Sequence, residues 1–212
     1  MSRSRPTDAR RTPDGKRAFA VMNLVNKVAV LAIDGQTVTY DKTLDIPVGF
    51  NPYNVDVSPD GKFAVVSCTG AGGTNADALV VIDTAGPRPH VVNITTPGNG
   101  PEGFAISPNG KWLVTLLLLG SGAKHDDPAY VKNGEAVLMA MGLGPAMRVV
   151  NRLPLGGLPE DVAFSPDSQY VYIGNYIDKT MQVFRIAGGK LVQVGGATPL
   201  PGQPASMRGV AR

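Results

Sequence analysis

Two glutamates occupy the same place in a phrase that this chain repeats, Pro101-Glu102-Gly103-Phe104-Ala105-Ile106 and Pro159-Glu160-Asp161-Val162-Ala163-Phe164. Tyr53 and Asn54 follow Pro52 in another copy, and Pro204-Ala205-Ser206-Met207-Arg208 opens a further one. Carboxylates brought to one opening can bind a cation or share a proton, and a desolvated one, its pKa raised, can act as a general base. A carboxylate repeated at one position more usually solves a repeated structural problem, by accepting backbone N–H bonds from the neighbouring repeat. Residue types alone leave both readings open.

Other chemistry-bearing groups are sparse. His125, Asp126 and Asp127 form a local group with metal-competent side chains and, with Glu102 or Glu160, could supply imidazole and oxygen ligands. They sit in a Gly-rich, charged insertion, 120–130, that reads equally as a solvated loop. The two histidines, His90 and His125, lack an evident serine partner for a hydrolytic triad. No Gly-rich phosphate loop leads from a strand into a helix, and no Gly-x-Ser-x-Gly elbow occurs. The single Cys68 excludes an internal disulfide, a Cys-based zinc site and haem attachment, and reads as a small apolar filler on a strand. No cofactor is expected.

The elements that position these groups are marked by a second phrase, a tight turn. Its copies are Thr12-Pro13-Asp14-Gly15-Lys16, Ser58-Pro59-Asp60-Gly61-Lys62, Ser107-Pro108-Asn109-Gly110-Lys111 and Ser165-Pro166-Asp167-Ser168-Gln169. Pro presets φ, Asp or Asn bonds its own backbone, and Gly supplies positive φ. Ser168 in place of glycine predicts a strained or differently shaped turn. Strand-forming runs surround each turn: 55–57, 63–68, 78–83 and 91–95 in the second repeat, and 161–164, 170–174, 180–186 and 191–194 in the fourth. The apolar run 112–119 is too short to span a bilayer and reads as a buried strand.

Strand-rich repeats of roughly 50 residues belong to propeller blades. The expected fold is an all-β propeller of four-stranded antiparallel blades, at about 6–47, 52–97, 101–155 and 159–198, with one extra inner strand at 204–210. In that architecture the loops entering the inner strands and the loops between second and third strands share one face. Tyr53, Asn54, Glu102, Glu160, Asp161 and Arg208 then ring a channel mouth as ligand-binding candidates, with the His125 insertion beside them.

The stretch Tyr170-Val171-Tyr172-Ile173-Gly174-Asn175-Tyr176-Ile177-Asp178-Lys179-Thr180-Met181-Gln182-Val183-Phe184 resembles the repeat of the YVTN family of bacterial β-propellers, as does Ala18-Phe19-Ala20-Val21-Met22-Asn23 through Val30. That family is similar in fold to the seven-bladed lactonase propellers and to the large subunits of quinoprotein amine dehydrogenases. The resemblance implies fold rather than activity, because the matching positions are turn and core residues. It also implies export to the periplasm or outside the cell. Residues 1–20 lack the apolar segment of a signal peptide, so a chain beginning at Met1 is expected in the cytoplasm.

Composition agrees with a turn-rich globular chain: 212 residues, 43% hydrophobic, 26 Gly and 18 Pro. A net charge of +3, with no basic stripe beyond Arg3, Arg5, Arg10 and Arg11, argues against nucleic acid, and no membrane span is expected. Seven blades need about 300 residues at this period, so an open arc cut from a larger ring, able to self-associate through its blade edges, is favoured over a closed four-bladed ring. Three functions fit. The first is a non-catalytic module that binds a protein or small ligand through its channel face. The second is a lactonase resembling 6-phosphogluconolactonase, with channel carboxylates and Arg208 holding a sugar-acid lactone, and the third is a propeller subunit of a periplasmic redox enzyme.

Overall fold

Each repeated turn is closed by one set of hydrogen bonds. The fourth residue's amide donates to the first residue's carbonyl: Gly15 to Thr12 at 2.9 Å, Gly61 to Ser58 at 2.8 Å, Gly110 to Ser107 at 2.8 Å and Ser168 to Ser165 at 2.9 Å. The Asp or Asn Oδ1 accepts from the amide of Lys16, Lys62, Lys111 or Gln169. The leading hydroxyl accepts from the amide that starts the next strand, Arg17, Phe63, Trp112 or Tyr170. Ser168 keeps the same shape at φ 63°, and its hydroxyl accepts the Asn109 N–H of the preceding blade at 3.0 Å. The expected strain is present, the expected change of shape is not.

The computed structural model describes residues 6–72, 75–142, 145–207 and 209. They form four antiparallel sheets, each a meander of consecutive strands. Blade one contains β1 (Ala9–Arg11), β2 (Arg17–Met22), β3 (Lys27–Asp34) and β4 (Thr37–Tyr40), with β5 (Ile46–Pro47) paired to β3. Blade two contains β6 (Pro52–Val57), β7 (Phe63–Cys68), β8 (Asp77–Asp83) and β9 (His90–Gly98). Blade three contains β10 (Pro101–Ile106), β11 (Trp112–Leu117), β12 (Glu135–Met141) and β13 (Met147–Pro154). Blade four contains β14 (Pro159–Phe164), β15 (Tyr170–Asn175), β16 (Thr180–Ala187) and β17 (Lys190–Gln193), with β18 (Thr198–Pro199) on β16.

Three apolar clusters sit between successive blades. Phe19, Val21 and Val28 meet Val55, Val66 and Val80 across the first seam. Val65, Leu79 and Val81 point the other way and meet Phe104, Leu113 and Val137. Val114, Leu116 and Leu138 meet Phe164, Ile173 and Phe184. Strands of the middle blades are therefore buried on both faces, which is why β7 and β11 read as nearly continuous apolar runs. Cys68 belongs to the first cluster, and burial pushes its thiol up to about 12, as an inert filler requires.

Every inner strand from blade two onward carries an irregular register just after its proline, between Pro52 and Val55, Pro101 and Phe104, and Pro159 and Asp161. The residue before each proline is left-handed: Asn51 at φ 54°, Gly100 at 61° and Leu158 at 50°. Bulges of this kind re-aim side chains. The phrase at 204–210 behaves differently from expectation. Residues 204–207 form no strand; Pro204 lies against Gly174 and the Met207 N–H bonds the Asp161 carboxylate, so the segment occupies the place of a fifth inner strand along β14 and leaves β1 in blade one.

Candidate binding site at the channel mouth

The bulged entries of β6, β10 and β14 bring Tyr53, Glu102, Glu160 and Asp161 into one electrostatic group. The Tyr53 hydroxyl donates to the Glu102 carboxylate. The Glu102 charge beside it, then burial, push the Tyr53 phenol up to about 12. Burial raises the Glu102 carboxyl, and the Asp161 charge adds to this. Glu160 is pushed up to about 7, by burial first and then by Glu102 and Asp161. Asp161 is 8% exposed and its Oδ2 has no hydrogen-bond partner among the described residues, although the Met207 N–H bonds this carboxylate. No cation among the described residues acts on Glu102, Glu160 or Asp161.

The backbone-capping role foreseen for the repeated glutamates belongs to aspartates. Asp8 accepts the Val55 N–H at 3.1 Å, Asp56 accepts the Ile106 N–H at 3.1 Å, and Asp161 continues the pattern to Met207. Asn54 turns into the seam, where its Nδ2 donates to the Glu102 carbonyl at 3.3 Å beside the Ser67 hydroxyl, which donates to the same oxygen at 2.8 Å. Asn54 is thus a strut between blades two and three. Arg208, with Arg3 and Arg5, lies outside the described residues.

The insertion between β11 and β12 is built into the blade-three to blade-four seam. Its Ser121 is fully buried and accepts the Leu158 N–H at 3.0 Å, and Gly134 exchanges hydrogen bonds with Gly156 and Leu155. At its tip His125 packs on Tyr130 with ring centroids 4.6 Å apart, and the Asp127 carboxylate accepts the Ala129 N–H at 2.8 Å. Among the described residues no three His, Cys, Asp or Glu side chains gather at metal-ligand spacing, so the structure does not bring His125, Asp126 and Asp127 together with Glu102 or Glu160.

Sequence reasoning missed a second feature, an open cleft of about 570 Å³ at the turn end of the same inner strands. Arg10, Arg11 and Asp56 line it over a floor that includes Val57, Ile106 and Phe164. Pro13, Pro59, Pro108 and Pro166 of the four turns form its rim. Arg10 there is ion-paired, 3.5 Å from Asp8 and 3.6 Å from Asp56. The carboxylates with raised pKa are at the mouth, and strongly perturbed groups mark a candidate functional site better than volume does.

The family described as lactonase, seven-bladed β-propeller, matches residues 6–117, just over half of the chain. The chain belongs to the seven-bladed β-propeller lactonase family. The matched stretch carries Tyr53 and Glu102, whereas Glu160 and Asp161 lie in the fourth blade beyond it.

This lactonase-family propeller is 32% identical over 208 residues to hydrazine synthase subunit beta of Kuenenia stuttgartiensis, across 83% of its own length and 52% of that subunit. It superposes at TM-score 0.77 and 16% identity on a candidate 6-phosphogluconolactonase of Bacteroides uniformis, over 92% of its own length and 55% of the other. It superposes at TM-score 0.66 and 20% identity on the periplasmic gluconolactonase PpgL of Pseudomonas aeruginosa, over 94% and 58%. Such structural likeness shows the fold. The chain spans about half the length of the relatives it matches. None of the described helices is long and apolar enough to cross a membrane.

Proposed function

We propose that this lactonase-family propeller is a non-catalytic binding module that engages a protein partner through its channel face. The observation that carries the reading is the acidic group of Glu102, Glu160 and Asp161, on which no cation among the described residues acts. An acidic mouth repels a phosphorylated sugar-acid lactone, whose capture calls for cations. The 32% identical relative is itself a subunit of a multi-subunit enzyme, which supports a subunit role and a protein partner. Export is part of the proposal, supported by the periplasmic relative.

One observation favours lactonase chemistry as a second reading: Glu160, held up to about 7 near Tyr53, is poised to act as a general base at neutral pH. Spectrophotometric hydrolysis of 6-phosphogluconolactone separates the two. A binding module leaves the spontaneous rate unchanged. Acceleration that disappears in Glu160→Gln while the fold persists contradicts the proposal and establishes the hydrolase.

A further inference from the structure

We propose that the channel mouth is a socket for a basic side chain, Arg or Lys, presented by a protein partner that seats on apolar loops around it; this rests on the reading of the channel face as a binding surface. Two independent observations meet there. The first is the buried Oδ2 of Asp161, which has no hydrogen-bond partner among the described residues and is grouped with Glu102 and Glu160; no cation among the described residues acts on any of the three. A buried carboxylate oxygen left without a donor is costly, and an inserted N–H supplies what is missing.

The second is where exposed apolar side chains lie. Leu24, 71% exposed, and Val25 sit in the β2–β3 connection, Phe50, 60% exposed, in the loop entering β6, and Tyr53 at the start of β6. Val131 is in the β11–β12 insertion and Ile177, 49% exposed, in the β15–β16 turn. All six are on the face that carries the mouth. The other large exposed apolar residues among those described lie on outermost strands or, as Val194, just after one, and none is on the turns of the opposite face. Exposed apolar side chains on the same face as a desolvated charge suit a protein interface with a buried anchor.

Charge and spacing select the anchor. Among the described residues no group of three His, Cys, Asp or Glu is placed to hold a metal ion, which favours an organic cation with several donors over a bare ion. A guanidinium offers five N–H groups in a fixed fork and can reach carboxylates on adjacent blades while its stem lies on the Tyr53 ring. Nucleic acid is repelled by the same field.

The test uses fluorescently labelled Gly-Phe-Arg-Phe-Gly as probe, with counterparts carrying Gln or Glu in place of Arg, read by anisotropy. The Arg peptide is expected to bind about tenfold or more tighter than the Gln peptide, less so as salt rises. Neutralising both glutamates, E102Q with E160Q, is expected to abolish that preference, whereas Ile177→Ser, which removes apolar contact without adding charge, weakens both peptides. Equal affinity for the Arg and Gln peptides, an Arg preference that survives neutralisation, no binding of any peptide, or displacement of the Arg peptide by millimolar calcium each overturns the socket. Binding of Arg and Gln peptides alike leaves the channel face standing as a binding surface, and failure of that broader reading is seen separately, as lactone hydrolysis.

Discussion

At the scale of single residues, Glu160 is the most informative side chain. Its carboxyl is pushed up to about 7, by burial first and by Glu102 and Asp161 after it. Its side-chain carboxyl 13C resonance is expected to titrate near 7, and Glu102→Gln is expected to lower that midpoint by removing one neighbouring charge. A wild-type midpoint near the ordinary 4.5 would contradict the geometry of the mouth. Ser168 offers a second residue-level test, because it holds a left-handed φ and accepts the Asn109 N–H. Ser168→Ala keeps the strain and orphans that amide, a cost of about 1–2 kcal/mol. Ser168→Gly also loses the bond but relieves the strain, so chemical denaturation is expected to rank wild type and Gly close together and Ala below both.

At the scale of elements, the close approach of β10 to β14 depends on a missing side chain. A Cβ on Gly103 would lie 2.0 Å from the Glu160 carbonyl oxygen. Gly103→Ala is therefore expected to force the two inner strands apart, destabilise the protein by about 1–3 kcal/mol and shift the Glu160 titration as the mouth opens. Unchanged stability and titration would show that the strands tolerate the separation. Elements were largely legible in the sequence, since turn chemistry is local: the strand expected at 63–68 is β7, residue for residue. The placing of Tyr53, Glu102 and Glu160 at one mouth was legible from their shared position after proline. The capping aspartates were not, because Asp8 and Asp56 stand at different offsets from their prolines and act on the next blade. The insertion is solvated at its tip as expected, with His125, Asp126 and Asp127 exposed, but the buried anchor at its base, Ser121, was not legible because it depends on contact with the distant Leu158.

At the scale of the whole molecule, three interblade clusters and a continuous chain of inner-strand contacts hold four blades in succession, with residues 204–207 extending the series along β14. Apolar seams account for folding; the mouth carboxylates do not. Glu102 and Glu160 are both raised in the folded state, so folding disfavours their charged forms. Their contribution is neutral below the ordinary carboxylate range and becomes unfavourable as pH climbs from about 4.5 to about 7, remaining so above it. Groups selected for folding would behave in the opposite way.

Thermal unfolding of the E102Q/E160Q variant against wild type, at pH 5 and pH 8, tests directly whether the mouth serves binding rather than stability. The account predicts that the variant unfolds higher at pH 8 by about 2–4 °C, which corresponds to about 1 kcal/mol after solvent screening of the half-exposed Glu160, with the gap closing at pH 5. A variant that unfolds several degrees below wild type at pH 8 would show that the carboxylates hold the blades together, and would contradict the account.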